Sequence, residues 1–344
     1  MIVYNKMVFY SICFTILAIV FFVNIKIDEN NSFLNKFNTD SFRGVAIVCI
    51  IFHHVIQQIK NPGVLMPFRG IGYLFVSYFF FLSGYGLAIS YLNKDNYLKD
   101  FFRKRMSKIY IPFLFVNLIN LLINIVIFNK VYTFFDFIKS LIGIELMSCA
   151  MWYIIAIIFW YITFYFVFSY IKKINKIIII LFSISLIWFI ICNSLGISKN
   201  WYDTAFIFPI GVFVGLKKDF VKNQILKNYN MLLILSFVVF IVLFLINFGK
   251  VDTISIIIRA IAAITFIIFF IILLIKIDLS RNKVSFFLGT ISFELFLIHD
   301  RLLNILDIGG KVTGMNLILY FIIIVILSYI LNNISKYTNS KLFR

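Results

Sequence analysis

The three histidines of this chain, His53, His54 and His299, all fall inside long apolar stretches. An imidazole can take up and release a proton near neutral pH, so histidine serves as a general base and as a nucleophile. Placing a polar side chain in so apolar a setting costs free energy, and such residues usually mark a functional site. These histidines are therefore the first candidates for chemistry.

Arg43 precedes His54 by eleven residues in one predicted helix. That spacing is three turns plus about 20°, so both side chains share a face, and the rise between them is about 16 Å. His53 points roughly 80° away from this face. The arrangement favours an anion held by Arg43 and acted on at His54, which we expect near mid-depth of a membrane. Alternatively, Arg43 is an anchor at the membrane surface and His54 a packing residue.

A second group of cations lies in the segment FFRKRMSKIYIP, residues 101–112. Arg105 and Lys108 are three residues apart and so are neighbours on a helix. Arginine forms paired hydrogen bonds with phosphate, and the cluster therefore predicts a phosphate site. The alternative is that these residues anchor the chain on anionic lipid.

Glu294 and Arg259 are charged residues within predicted spans. Glu294 lies about 15 Å into its span, a depth similar to that expected for His54, which makes the two plausible partners. Arg259 either pairs with Glu294 or lies on a substrate path, and the sequence leaves both open. We expect Asp300 and Arg301 to form a solvated pair at the outer interface.

Three further residues are weaker candidates for substrate contact, in addition to Arg259. Ser83 lies in YFFFLSGYGL, where small residues allow a helix or a ligand to approach the backbone. Trp152 begins a span, where aromatic anchors are normal, but could also stack on a sugar. His299 shares a helix face with Ser292.

The elements that carry these residues are membrane helices. The chain of 344 residues is 62% hydrophobic and 13% charged, with a mean hydropathy of +1.03, which excludes an ordinary soluble protein. Repeated apolar runs of about 20 residues predict an all-α polytopic bundle. Eleven candidate spans lie near 7–25, 44–60, 71–92, 109–129, 150–171, 175–193, 203–216, 229–249, 251–275, 284–303 and 315–333, and residues 132–148 are expected to lie in the interface.

We interpret the net charge of +18 as a consequence of how the chain is oriented in the membrane. With the N-terminus outside and the C-terminus in the cytoplasm, about two thirds of the Lys and Arg residues fall in cytoplasmic segments, as the positive-inside rule requires. We therefore expect no nucleic-acid partner. The four cysteines are scattered and form no CxxC motif, so we expect no metal site.

At this point the chain resembles acyltransferase family 3, a family of bacterial integral membrane enzymes that acylate surface glycans. The resemblance is carried by Arg43 and His54 with ten residues between them, and by FFFLSGYGL, FRKRMSKIYIP, MWYI and SFELFLIH. It covers about residues 40–333. It implies a ten-helix acyltransferase domain at 40–344, preceded by an extra transmembrane helix and linker at 1–39, in the bacterial cell membrane.

The resemblance also implies a function: transfer of an acyl group, most often acetyl, from coenzyme A on the cytoplasmic side to a glycan hydroxyl outside. Acyl-CoA would be a substrate, with no permanently bound cofactor. Arg43 and His54 match the arginine and essential histidine of the family. Arg105 and Lys108 match its second basic motif, with lysine where a second arginine is usual. Glu294 is expected to orient His54 as the carboxylate of a catalytic triad does.

A transporter or flippase of a lipid-linked glycan is the alternative from another functional class. It would share the many spans and the buried charges. It would not require a cytoplasmic coenzyme A site.

Overall fold

The computed structural model describes residues 2–27, 33–250, 252–306 and 314–342, and these residues are almost entirely helical. The α-helices are α1 (Ile2–Phe22), α2 (Lys36–Gln58), α3 (Gly72–Asn93), α4 (Phe101–Val126), α5 (Phe134–Ile142), α6 (Trp152–Tyr170), α7 (Ile174–Ser194), α8 (Ile207–Leu216), α9 (Lys218–Lys227), α10 (Tyr229–Asn247), α11 (Thr253–Lys276), α12 (Lys283–Thr290), α13 (Ser292–Ile305) and α14 (Gly314–Leu342). Short 3₁₀ helices lie at Gly63–Arg69, Cys149–Met151 and Lys199–Trp201.

The helices confirm the polytopic membrane bundle. In the described residues, eight helices are long and apolar enough to cross a membrane, and each coincides with an expected span. Two shorter apolar helices, Met7–Phe22 and α8, coincide with two more. Many apolar side chains of α7, α10 and α14 are exposed, which suits contact with lipid tails.

The expected span at 284–303 is two helices, α12 and α13, with a break at Ile291. The local sequence explains the break. Gly289 is a poor helix former, and the β-branched Thr290 and Ile291 follow it. In addition, the Ser292 hydroxyl donates to the Gly289 carbonyl oxygen at 2.9 Å. This carbonyl thus has a side-chain partner in place of the backbone N–H that a continuous helix would supply.

The helix that carries Arg43, His53 and His54 is α2, and α12 packs closely against it. A Cβ on Gly44 would overlap the carbonyl oxygen of Ser285, and a Cβ on Gly289 would overlap that of Asp40. Only glycine permits the two backbones to approach this closely. The contact fixes the position of α2 from the side opposite α3.

The helix α3 lies against both α2 and α8, and its contact with α8 is as close as that of α2 with α12. A Cβ on Gly84 would overlap the carbonyl oxygen of Phe208, and a Cβ on Gly211 would overlap that of Phe81. This confirms close helix packing at the SGYGL segment for Gly84. Gly86 does not take part, since no atom lies within 4 Å of the place a Cβ would occupy.

The N-terminal helix α1 packs against α2, α12 and α14. A two-stranded antiparallel sheet, β1 (Lys26–Ile27) and β2 (Ile277–Asp278), joins the chain after α1 to the chain after α11. The Asn282 side chain donates to the carbonyl oxygens of Ile19 and Val20 at 2.9 and 3.1 Å, so the last turn of α1 is held at the start of α12.

Gly84→Ala should lower the free energy of unfolding by about 1–3 kcal/mol, because the added methyl group overpacks the α3–α8 contact. Gly86→Ala is the matched control on the same helix and should be neutral or stabilising, since alanine favours helix over glycine by roughly 1 kcal/mol. Thermal unfolding in detergent measures both. Equal melting temperatures for the two variants would contradict this packing.

Candidate active site

His53 and His54 lie in the last turns of α2. The helix begins at Lys36, eight residues before the expected span, because the Asn35 side chain accepts the Phe37 N–H and caps the polar first turn. His54 is therefore about 27 Å along a helix of about 35 Å. We call this the histidine end of the bundle, and the opposite end, with Arg105 and Lys108, the basic end.

The guanidinium of Arg69 covers the C-terminal end of α2. It donates to the carbonyl oxygens of Ile56 and Lys60, each at 3.2 Å, and to that of Ile59. The last carbonyls of a helix have no partner within the helix, and a cation there is also favoured by the helix dipole. Arg69 thus holds in place the turn that carries both histidines.

The two neighbouring histidines differ in their hydrogen bonds. Nδ1 of His53 lies 2.8 Å from the Phe68 carbonyl oxygen, which only accepts, so this nitrogen carries the proton. Nε2 of His53 then accepts from the Gln57 amide at 3.1 Å. Both nitrogens of His53 are occupied. His54 differs in that its interaction is with the Gln57 side chain and not with a backbone carbonyl.

His54 is half-buried and lies against two other imidazoles. Its ring centroid is 5.0 Å from that of His53 and 5.0 Å from that of His299. His299 is fully buried, and its Nδ1 lies 2.9 Å from the Phe296 carbonyl oxygen, so Nδ1 carries the proton. Its Nε2 is buried without a hydrogen-bond partner. The structure thus brings together His54 and His299, two of the expected site residues.

The carboxylate beside these imidazoles is Asp300, which acts electrostatically on both His54 and His299. Asp300 is 6% exposed and accepts a hydrogen bond from the Ser148 hydroxyl at 2.6 Å. The prediction that Asp300 is solvated and forms a pair with Arg301 is therefore wrong. The helix α13 packs against α2, α4 and the 3₁₀ turn Cys149–Met151, so its outer end meets protein instead of water.

Arg301 lies on a different side of α13 from the histidines. Its guanidinium donates to the Asn124 side-chain oxygen and lies 5.0 Å from the centre of the Phe128 ring. Arg301 therefore contacts the end of α4 and contributes nothing to the histidine cluster.

A cavity of about 230 Å³ opens beside His54 at the histidine end of the bundle. We call it the histidine cavity. It lies where α2 ends, where α3 and α6 begin, and beside the Lys199–Trp201 turn and the first turns of α11. Its lining residues are Ile50, His53, His54, Gln57, Arg69, Gly70, Gly72, Tyr73, Val76, Trp152, Lys199, Asn200 and Arg259. Two expected substrate-contact residues, Trp152 and Arg259, thus share a cavity with His54.

Arg259 forms an ion pair with Asp203. Its Nη2 and Nε lie 2.7 and 3.2 Å from the same carboxylate oxygen, and its guanidinium lies 3.9 Å from the centre of the Tyr73 ring. The partner of Arg259 is therefore Asp203 and not Glu294, and Arg259 also lines the histidine cavity.

Glu294 does not contact His54. It is buried in the first turn of α13, beside Asn332 and Lys336 of α14. Because the span at 284–303 breaks at Ile291, Glu294 starts a new helix toward the basic end, whereas His54 lies at the histidine end. The expected contact of Glu294 with His54 is wrong, and Asp300 is the carboxylate that acts electrostatically on His54.

Arg105 and Lys108 share a second cavity, of about 430 Å³, at the basic end. We call it the basic cavity. Arg105 is held by the Tyr97 hydroxyl at 2.8 Å and the Ser90 hydroxyl at 3.0 Å. The lining residues are Lys94, Asp95, Asn96, Tyr97, Arg103, Lys104, Arg105, Ser107, Lys108 and Asn339. Lys94, which the sequence motif does not include, joins the cluster from the end of α3.

Arg43 lines neither cavity. Its Nη1 lies 3.2 Å from the Asp40 carboxylate, which also pairs with Lys36 at 2.8 Å. The expectation that Arg43 and His54 open onto one cavity is therefore not met, either in the histidine cavity or in the basic cavity. Arg43 lies about 10 Å into α2, between the two ends of the bundle.

Aromatic rings fill the space between Arg43 and the histidines. The hydroxyl of Tyr153 is near Arg43 and bonds with Ser83, the remaining substrate-contact candidate. The Tyr153 ring centroid is 5.1 Å from that of Phe296, which is 5.7 Å from that of His299. Ser83 thus contacts the aromatic row and does not line the histidine cavity.

Asp203, Asp300 and Lys199 are the site residues that the sequence reasoning missed. The chain has only 14 acidic residues. A carboxylate at the edge of an apolar run is therefore a candidate partner for a membrane arginine or histidine, and that signal could have identified Asp203 and Asp300. Lys199 carries no comparable signal, since it lies in a short loop.

Comparison with known proteins gives one informative match: residues 37–332 match the family model described as an acyltransferase domain. No curated protein matches the chain. No solved structure matches it either. The matched range includes every residue of the histidine cavity and nearly all of the basic cavity.

Asp203→Leu should destabilise the protein by about 3–5 kcal/mol, because it leaves the Arg259 guanidinium buried without its counter-charge. Arg259→Leu should have a similar effect. The double variant should recover much of the loss, since neither charge remains. Thermal unfolding of the three variants in detergent measures this coupling, and strictly additive losses would contradict a tight ion pair.

Proposed function

The chain belongs to acyltransferase family 3 and is a membrane acyltransferase, and from that premise we propose that it moves an acyl group, acetyl in the first instance, from acyl-CoA to a hydroxyl of an exported or cell-surface glycan. The donor would bind at the basic end, which we place on the cytoplasmic side of a bacterial cell membrane in accordance with the positive-inside rule. The acceptor would bind at the histidine end.

The observation that carries this proposal is the position of His54. It is half-buried, lines a cavity with Trp152 and Arg259, and lies beside His299 and Asp300. The neighbouring His53 has both ring nitrogens occupied. His54 interacts with the Gln57 side chain and lines the cavity, so we assign the substrate hydroxyl to its other ring nitrogen, and the carboxylate of Asp300 would stabilise the imidazole once protonated.

The basic cavity supports the donor end of the proposal. Five cations and one carboxylate, Asp95, line it, and Asp100 pairs with two of the cations, Arg103 and Lys104. The cavity keeps a net positive charge and favours an anion with several charges, such as the phosphates of coenzyme A.

Arg105 is oriented by Tyr97 and Ser90, which pre-organises its planar donor group. Arg43 lies deeper and would contact the arm that carries the thioester.

In the simplest mechanism, His54 accepts the proton of the acceptor hydroxyl while the oxygen attacks the thioester carbonyl carbon. The carbon–sulfur bond then breaks, and the imidazolium returns the proton to the departing thiolate, which yields the ester and free coenzyme A. Alternatively, the His54 nitrogen first takes the acyl group from the thioester and passes it to the hydroxyl.

Ring contacts link Tyr153 through Phe296 to His299. We propose that the thioester approaches His54 along this row and that the rings move before transfer. A closed row keeps water away from the thioester until the acceptor is bound, which suppresses hydrolysis.

His54→Ala should abolish acyl transfer, by at least about a hundredfold, because general base catalysis alone contributes about 10²–10⁴-fold. The variant should still fold in the membrane. His53→Ala is the matched control and should retain more activity, since His53 is held by the Phe68 carbonyl and Gln57. The assay is coenzyme A release by purified protein with a glycan acceptor, and full activity of His54→Ala would exclude His54 from the reaction.

Arg105→Gln should raise the KM for acyl-CoA about tenfold or more with little change in kcat, as loss of one charge-assisted phosphate contact predicts. Lys173→Gln, an exposed lysine at the start of α7 outside the basic cavity, is the control. Steady-state kinetics with varied acyl-CoA separates the two constants. An unchanged KM in Arg105→Gln would place the donor elsewhere.

A further inference from the structure

The residues that line the histidine cavity carry a net positive charge. Its lining includes three cations, Arg69, Lys199 and Arg259, and no carboxylate. Side chains of one sign that line a cleft focus their field into it and attract ligands of the opposite sign.

Only one of these three charges is neutralised by an ion pair. Asp203 balances Arg259. Arg69 donates to backbone carbonyls, which hold its guanidinium but leave its full charge. Lys199 forms no ion pair or side-chain hydrogen bond among the described residues. The cavity thus has two uncompensated positive charges.

Lys199 is the cation best placed to meet a ligand. It is half-buried in the Lys199–Trp201 turn. Burial lowers the pKa of its amine, and the like charge of Arg259 lowers this pKa further, although Asp203 partly offsets both. A cation held in this way gains from any anion that enters beside it.

The backbone adds to the positive potential. The helices α3 and α6 both begin at the cavity, through Gly72, Tyr73 and Trp152. The N-terminal end of a helix presents unpaired N–H groups and a positive partial charge, and both favour anions. The negative end of α2, which also reaches the cavity, is covered by Arg69.

We propose that the acceptor of this acyltransferase is anionic, a glycan or polyol that bears a phosphate or a carboxylate. Lys199 and the exposed part of Arg259 bind that anionic group, Trp152 packs against the sugar, and a nearby hydroxyl meets His54. The inference rests on the proposed function in that it assigns the histidine cavity to the acceptor. It adds the chemical class of the acceptor and names Lys199 as a specificity residue.

Binding to the purified protein in lipid nanodiscs tests the charge preference without acyl-CoA. The probes are three matched sugars: methyl glucoside, its 6-phosphate, and methyl glucuronide. The wild type should bind the two charged sugars about tenfold or more tightly than the neutral one, as a charge-assisted contact predicts. Comparison of phosphate with carboxylate then shows which anion the site prefers.

Three lysine variants complete the experiment. Lys199→Gln should lose most of the preference for charged sugars, and Lys199→Arg should keep it. Lys250→Gln is the control, because Lys250 is an exposed lysine at the same end, between α10 and α11, outside the cavity. Equal binding of neutral and charged sugars, no binding of charged sugars, or the same loss in Lys250→Gln and Lys199→Gln would overturn the proposal.

The failure of this inference is distinguishable from failure of the proposed function. Acyl transfer to the neutral sugar with the same kcat/KM as to the charged sugars would overturn the anionic acceptor and leave the acyltransferase reaction standing. Selective binding of charged sugars without any coenzyme A release would instead support the anion site and count against the proposed reaction.

Discussion

The close backbone contact of α2 with α12, at Gly44 and Gly289, is the constraint on which the rest of the site depends. This contact and the packing of α3 on the other side leave α2 no freedom to shift or rotate. Both Arg43 and His54 lie on that helix. Arg69 then fixes its last turn by taking up the free carbonyls. The imidazole of His54 is therefore presented by a rigid element, as a catalytic group must be.

The second organising principle is the satisfaction of charge away from water. Inside the bundle, Asp203 meets Arg259, and the partly exposed Arg43 meets Asp40. Among the described residues, cations without an ion pair line both cavities: Arg105 and Lys108 line the basic cavity, and Arg69 and Lys199 line the histidine cavity. An enzyme that takes a polyanionic donor from one side and an acceptor from the other would require such a distribution, since an unpaired cation in an apolar setting is tolerated only where water or a ligand can reach it.

Aromatic rings link the neighbourhood of Arg43 to His299, and in the proposed mechanism they have a chemical consequence. On the proposed path of the thioester, the row of Tyr153 and Phe296 would keep water away from the thioester until the rings move. Rings packed edge to face can rotate without creating a polar surface in the membrane interior. Such a row can therefore open for an acyl arm at lower cost than a salt bridge could.

The sequence determined the class of fold, the approximate place of the long helices, and the residues of the Arg43–His54 and Arg105–Lys108 motifs, because hydropathy and helical spacing are local properties. It also indicated the family. Only the tertiary structure decided which charges meet: that Asp300 and not Glu294 acts on the histidines, that Asp203 pairs with Arg259, and that Lys199 lines a cavity with His54. Those outcomes depend on how the helices cross, and spacing along one chain cannot report distances between helices.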